Sequence, residues 1–93
     1  MIFIRRLIWE NWNVAHIARH EVVPDEVEEV CHGQHVVLQT YKDRLLLIGP
    51  TLTGRMLSVI LGLTDEAEVY YPVTARSASK KERRFYKGEQ RES

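Results

Sequence analysis

Val36-Val37-Leu38-Gln39-Thr40-Tyr41, then Lys42-Asp43, then Arg44-Leu45-Leu46-Leu47-Ile48-Gly49 is the stretch that decides the fold. Large apolar and β-branched residues crowd both arms, and the two polar residues between them suit a tight connection, so the segment reads as two antiparallel strands. Pro50-Thr51-Leu52-Thr53-Gly54 follows as a loop. Arg55 to Leu63 is then an apolar run interrupted only by Ser58 and Gly62. Such runs belong to strands covered on both faces, which makes this one central. Thr64-Asp65-Glu66 turns the chain, and Val69 to Ala75 reads as a last strand, in which Pro72 implies a bulge or a free edge because it has no N–H to give a ladder.

Upstream of the hairpin the period is helical. Asn11 to His20 places Val14, Ile17 and Ala18 on one side at helical spacing, with Asn11 as N-cap. Val22-Val23-Pro24 interrupts it. Proline at a first helical turn, followed by Asp25 and Glu26 at the positive end of the dipole, opens a second helix that ends near His32, with Val27, Val30 and Cys31 as its buried stripe. Gly33 is placed to end that helix in a left-handed conformation. Before both helices, Ile2-Phe3-Ile4 and Leu7-Ile8-Trp9 flank Arg5 and Arg6 and suit a short strand at a sheet edge. After the last strand, Ser79 and Glu82 form an S-x-x-E capping box that opens a closing helix. The whole is an α+β domain: a short N-terminal strand, two helices, a four-strand antiparallel run and a basic C-terminal helix.

With 93 residues, the chain makes a single domain over 1–93, with 88–93 expected to fray. A chain of this size buries about 60–65% of its unfolded surface, enough for one small core and no separate regulatory domain. Cys31 is the only cysteine, so no internal disulfide forms and a reducing cytoplasm is the expected compartment. No apolar run approaches the ~18 residues of a membrane span, and Arg5 and Arg6 interrupt the N-terminal stretch before it could be a signal segment.

Net charge is zero over the chain but unevenly spread. Residues 1–41 set Arg5, Arg6 and Arg19 against Glu10, Glu21, Asp25, Glu26, Glu28 and Glu29, whereas the last eighteen residues set seven cations, Arg76, Lys80, Lys81, Arg83, Arg84, Lys87 and Arg91, against Glu82, Glu89 and Glu92. On a helix, Lys80, Arg83, Arg84 and Lys87 share one face, opposite Ala78, Glu82 and Phe85. Tyr86 lies at the boundary, where its ring can rest on the sheet and its hydroxyl can reach solvent. By period-two counting, Arg76 shares a strand face with Thr74 and Tyr70. Guanidinium forks bind phosphate oxygens in pairs, so this surface fits anions and a nucleic-acid backbone; a solvated helix face with no partner is the alternative.

Trp12, His16 and Arg19 share a face of the first helix, and His16 and His20 are i, i+4 neighbours that can move protons near neutral pH or simply be partly exposed surface residues. No metal site is expected: His16-x-x-x-His20 lacks the glutamate of H-E-x-x-H, and Cys31-His32-x-x-His35 has no second cysteine pair. No cofactor is implied, because no Gly-rich phosphate loop, nucleophile elbow or paired-carboxylate spacing occurs. Cys31 falls in the Val27, Val30 stripe and reads as a core residue.

With these residues laid out, the chain resembles the BrnT-type toxins of bacterial type II toxin-antitoxin pairs, small ribonucleases with a RelE-like fold. Three pieces carry the likeness: Trp9 to His20 with its Arg19-His20 pair, Gly54-Arg55-Met56-Leu57-Ser58-Val59, and Thr74-Ala75-Arg76 through Ala78, Glu82, Arg83 and Tyr86. The chain departs from the family pattern at Glu21, where glycine usually follows the histidine, and at Glu10-Asn11, where an aspartate usually stands. The resemblance implies metal-independent RNA cleavage by a ribose 2′-hydroxyl, with Arg76 and Arg83 on the phosphate, Arg55, Lys80, Arg84 and Lys87 in support, and His20 or Tyr86 moving protons. It also implies RNA and a cognate antitoxin as partners, in a heterocomplex or beside a homodimer, and no membrane. The competing class is a binding module, or an inactive toxin homologue, whose cationic helix docks nucleic acid or an acidic protein without breaking a bond.

Overall fold

The computed structural model describes residues 1–92. In chain order the elements are β1 (Arg6–Leu7), α1 (Asn11–Ala18), α2 (Pro24–His32), β2 (Val36–Tyr41), β3 (Arg44–Pro50), β4 (Met56–Leu63), β5 (Val69–Ser77) and α3 (Lys80–Glu92). The strands form one sheet in the order β1-β5-β4-β3-β2, with β2 to β5 antiparallel in succession and β1 added parallel to β5 through Arg6 opposite Val69 and Leu7 opposite Tyr70. The α+β architecture read from the sequence is the one observed. β4 is central, as a run covered on both faces must be.

The Pro72 signal resolves as a bulge. The β4–β5 register passes from Ile60 opposite Thr74 to Leu61 opposite Pro72, which leaves Val73 without a cross-strand partner. One extra residue reverses the alternation beyond it, so Tyr71 and not Tyr70 shares a face with Thr74 and Arg76. Tyr71 lies so close over Gly62 that a Cβ there would run into its ring. Tyr70 packs instead against the main core.

The two faces of the sheet are covered unequally. α1 and α2 lie on one, where Ile17, Val22, Val27, Val30 and Cys31 meet Leu47, Leu57, Val59, Leu61 and Ala75, all essentially inaccessible. Each fully buried aliphatic side chain here contributes about 1.5–3 kcal/mol. On the other face, α3 crosses one end of the sheet and lays Phe85 and Tyr86, with Ala78 of the preceding turn, on Val36, Leu46, Ile48 and Met56. The remainder of that face is open.

Three local expectations change. Helix α1 buries Asn13 and Ile17, while Val14 and Ala18 are exposed. Asn13 substitutes for an apolar residue because its amide is fully used: Nδ2 donates to the carbonyls of Ile8 and Pro72 at 3.0 and 3.1 Å, and Oδ1 accepts the Glu10 N–H at 2.8 Å. Glu10, not Asn11, is the N-cap position. Gly33 has extended backbone (φ −107°) and is required for closeness instead, since a Cβ there would lie 2.7 Å from the Glu29 carbonyl oxygen. Helix α3 itself runs from Lys80 to Glu92. Ser93 lies outside the described residues. Among the described residues no helix is long and apolar enough to cross a membrane.

Candidate active site

The capping box that opens α3 also builds the most connected polar cluster on the sheet. Register places Ser58 on β4 opposite Arg76 on β5. The chain then turns through Ser77 and Ala78, and the third residue of the new helix, Glu82, lands over that pair. Its Oε1 accepts from Ser58 Oγ at 2.7 Å, Arg76 Nη1 at 2.9 Å and the Ser79 N–H at 2.8 Å, and its Oε2 accepts from Arg76 Nη2 at 3.0 Å. The Glu82 N–H in turn donates to Ser79 Oγ at 3.2 Å. Burial alone would push the Glu82 carboxyl up, but the hydrogen bonds from Arg76, Ser79 and Ser58 outweigh it and hold the group down at about 2. Its hydrogen bond from Arg76 likewise raises the guanidinium pKa. Glu82 is therefore a fixed anion, a poor proton acceptor at neutral pH and a good orienting group. Arg76 keeps 46% of its side chain exposed, so a ligand anion can still reach it.

Beyond this cluster α3 presents its cations. Lys80, Arg83, Arg84 and Lys87 line an open groove of about 410 Å³ along the outer face. None of the four takes part in an ion pair among the described residues, and Arg83 gives only a long bond, 3.4 Å, to the Ala78 carbonyl. Tyr86 is half-buried on the same layer, its ring on the Val36–Ile48 patch, as its boundary position on the helix requires. Thus Arg76, Arg83, Tyr86, Lys80, Arg84 and Lys87 all belong to the α3 side of the sheet.

His20 and Arg55 do not join them directly. His20 follows α1 on the opposite layer, exposed, its ring 6.0 Å from that of His16 in an edge-on arrangement. Arg55, read from the sequence as a phosphate ligand, spends its guanidinium internally. Nη1 donates to the Glu21 carbonyl at 2.7 Å and to both Glu26 oxygens at 3.2 Å, while Nη2 donates to the His20 carbonyl at 3.3 Å and to Ser77 Oγ at 3.2 Å. Its charge is already matched by Glu26. The side chain staples the turn after α1 to the end of β5, next door to Arg76.

Sequence reasoning left out Ser58 and Arg44. Ser58 was legible as the one hydroxyl inside a central apolar strand, where a buried polar atom must have a partner. Arg44 begins β3 on the open half of the α3 face. It donates to Tyr71 Oη at 3.0 Å and lies 5.5 Å from the centre of that ring, and Trp12 meets Tyr71 edge-on at 6.1 Å between ring centres. Nothing in strand periodicity signals this grouping, because the bulge at Val73 decides which tyrosine faces Arg44.

The remaining titratable signals are structural. Cys31 is buried, which pushes its thiol up, with Glu28 adding to the effect. His35 is buried with its pKa lowered, first by desolvation: Nδ1 faces the Val30 and Gly33 carbonyls at 3.1 and 3.2 Å, and Nε2 accepts the Ile2 N–H at 3.2 Å. His32 pairs with Glu28. Among the described residues no group of three or more His, Cys, Asp or Glu could hold a metal ion.

No family model matches the sequence, and no curated protein matches it. Among solved structures, the crystal structure of the Brucella abortus ribonuclease toxin BrnT matches with a TM-score of 0.65 and 27% identity, over 81% of this chain and 97% of that chain. The fold is that of BrnT. The family likeness read from the sequence is therefore matched by a likeness of fold. The match takes in nearly the whole of the Brucella abortus chain and about four fifths of this one.

Proposed function

We propose that this chain is the toxin of a type II toxin-antitoxin pair, working in the cytoplasm as a metal-independent endoribonuclease. The single observation that supports this most is the Ser58–Glu82–Arg76 cluster at the foot of an unpaired cationic helix, within the BrnT fold. In the reaction, a base takes the proton from a ribose 2′-hydroxyl, the oxygen attacks the adjacent phosphorus, and an acid protonates the departing 5′-oxygen, leaving a 2′,3′-cyclic phosphate. Charge on the phosphorane grows between ground and transition state, so preorganised cations contribute most there. Arg83 supplies that charge, and Arg76, oriented and in part neutralised by Glu82, donates to the phosphate from its exposed side. Lys80, Arg84 and Lys87 hold the flanking backbone.

Proton transfer falls to Tyr86 or His20. Tyr86 is on the layer that carries Arg76 and Arg83; His20 approaches only through the Arg55 staple, which ties its carbonyl to Ser77. Arg55 accordingly acts as a positioning residue. The groups available on this face need no cofactor to carry out the reaction. A cognate antitoxin is the expected protein partner, since a cationic surface that binds RNA is equally suited to an acidic protein that blocks it.

The test is cleavage of total RNA by purified protein in EDTA, with the Arg76→Ala and Arg83→Ala variants alongside. Wild-type cleavage with loss in both variants supports the assignment. Salt-sensitive RNA binding without cleavage supports a binding module instead, and wild-type rates in both variants remove these residues from the site.

A further inference from the structure

The α3 face carries a second feature besides the cationic helix. Because α3 crosses only one end of the sheet, the neighbouring rows form a cleft of about 500 Å³ lined by Thr40, Arg44, Leu46, Ile60, Val73 and Arg76. Its volume lies in the ordinary range of small-ligand sites. The floor is three aliphatic side chains, and no carboxylate lines it. One end is Arg76, the phosphate-holding residue. The other is Arg44, whose Nη1 is engaged by Tyr71 and the Asp43 carbonyl, but whose Nε and Nη2 have no hydrogen-bond partner among the described residues. Outside the lining, Tyr71 lies against Arg44 and meets the half-exposed Trp12 edge-on.

Resting on the ribonuclease reading, we propose that this cleft is a base-recognition subsite that takes one unstacked purine of single-stranded RNA, with guanine favoured, beside the phosphate held at Arg76. Three features select this occupant. Arg44, paired with no carboxylate among the described residues, complements the acceptor edge of a base, and Arg76, paired with Glu82 but partly exposed, can still donate to a phosphodiester. An aliphatic floor receives the flat face of a ring, as an unstacked base splayed from single-stranded RNA presents it. A free guanidinium edge matches the paired O6 and N7 acceptors of guanine, which adenine lacks because its N6 is a donor. The bulge is what creates the subsite: without the extra residue at Val73, Tyr71 would turn to the main core and Arg44 would have no ring to lie against.

The probes are 2′-O-methyl uridine hexamers carrying a single guanosine or a single adenosine, which cannot be cleaved because the attacking hydroxyl is capped. The wild-type protein is expected to bind the guanosine hexamer about tenfold more tightly, the usual discrimination of an arginine fork. Methyl resonances of Leu46, Ile60 and Val73 should shift on titration. Arg44→Ala and Arg44→Lys should both bring the ratio to about one, since lysine lacks the fork. Ile60→Phe, which fills the cleft and leaves Arg44 in place, should weaken both hexamers. Equal affinities in the wild type, or shifts confined to Lys80, Arg83 and Lys87, overturn the subsite, and the cleft is then left for a protein segment. The two readings fail separately: RNA cleavage without guanosine selectivity sinks the subsite alone, and selective binding without cleavage sinks the nuclease alone.

Discussion

The two faces of this sheet are built to different ends. Under α1 and α2 the contacts are aliphatic, interlocked and dry, and the polar groups that enter, Asn13 and His35, are fully bonded. Under α3 only Ala78, Phe85 and Tyr86 pack, beside an ionic cluster, and half the face stays open. Stability and chemistry are thus separated by the thickness of one sheet. A charged surface can be kept available on a domain this small because the other face supplies most of the burial.

The largest effect expected from that division is on folding. Leu57→Ala removes a wholly buried side chain from the α1–α2 face and should destabilise by about 2–5 kcal/mol in urea unfolding. Phe85→Ala, on the half-buried α3 layer, should cost about 1–2 kcal/mol and affect mainly the amide protection of α3 in hydrogen exchange. Equal costs at the two positions would break the comparison.

Next in size is the effect on activity. Arg76→Ala should lower RNA cleavage about 10²–10³-fold, the usual cost of one preorganised donor at a developing charge, while leaving most of the unfolding free energy in place. Glu82→Gln tests the orienting role: it preserves shape, weakens the hold on Arg76 and should reduce cleavage by a smaller factor. A Glu82→Gln protein as fast as wild type would show that Arg76 needs no such alignment.

Acid should then unfold the two faces in different windows. Glu82 has a folded pKa of about 2, below its value of roughly 4.3 in an unfolded chain. Its contribution, on the order of 2 kcal/mol, is complete above the unfolded value and is lost as pH falls from about 4.3 toward 2. His35 also has a depressed pKa, so its contribution is complete above about 6.5 and is lost as pH falls below that. Protonation there turns Nε2 from an acceptor into a donor facing the Ile2 N–H, which releases the N-terminal segment first. Stability measured against pH should therefore fall in two steps. Replacing Arg76 by alanine should reduce the lower one and spare the upper.

Much of this arrangement was legible in the sequence, and what was not has identifiable causes. The hairpin, the central strand, the Pro24 helix start and the Ser79–Glu82 cap each rest on local chemistry that acts the same way in any fold. Asn13 was hidden because its burial depends on carbonyls at Ile8 and Pro72, one of them 59 residues away. Which tyrosine faces the cleft depended on a bulge whose exact residue Pro72 alone does not specify. Arg55 looked like a free cation because Glu26 and Ser77 reach it only through tertiary contact. Cations announce themselves in sequence; the carboxylates that neutralise them in space do not.

The smallest effect concerns the one departure from the family pattern that the structure explains. After α1 the Val22 N–H bonds to the Ile17 carbonyl at 3.2 Å and the Glu21 N–H to the Ala18 carbonyl at 3.0 Å, the paired closure of a Schellman end, with Ile17 and Val22 both buried in the core. Glu21 occupies the left-handed position of that motif at φ 60°, which a β-carbon disfavours and glycine accepts freely. Its carbonyl is held by Arg55, so the strain is fixed in place by the staple that links this turn to Ser77. Glu21→Gly should relieve it, raising stability by about 0.5–1 kcal/mol after the extra flexibility of unfolded glycine is counted, a rise of a few degrees in Tm for a domain of this size. Cleavage should change little, since the turn keeps its shape. A loss of stability on introducing glycine would mean that the Glu21 side chain contributes more than its backbone costs, and would place the α1–α2 turn among the features specific to this chain.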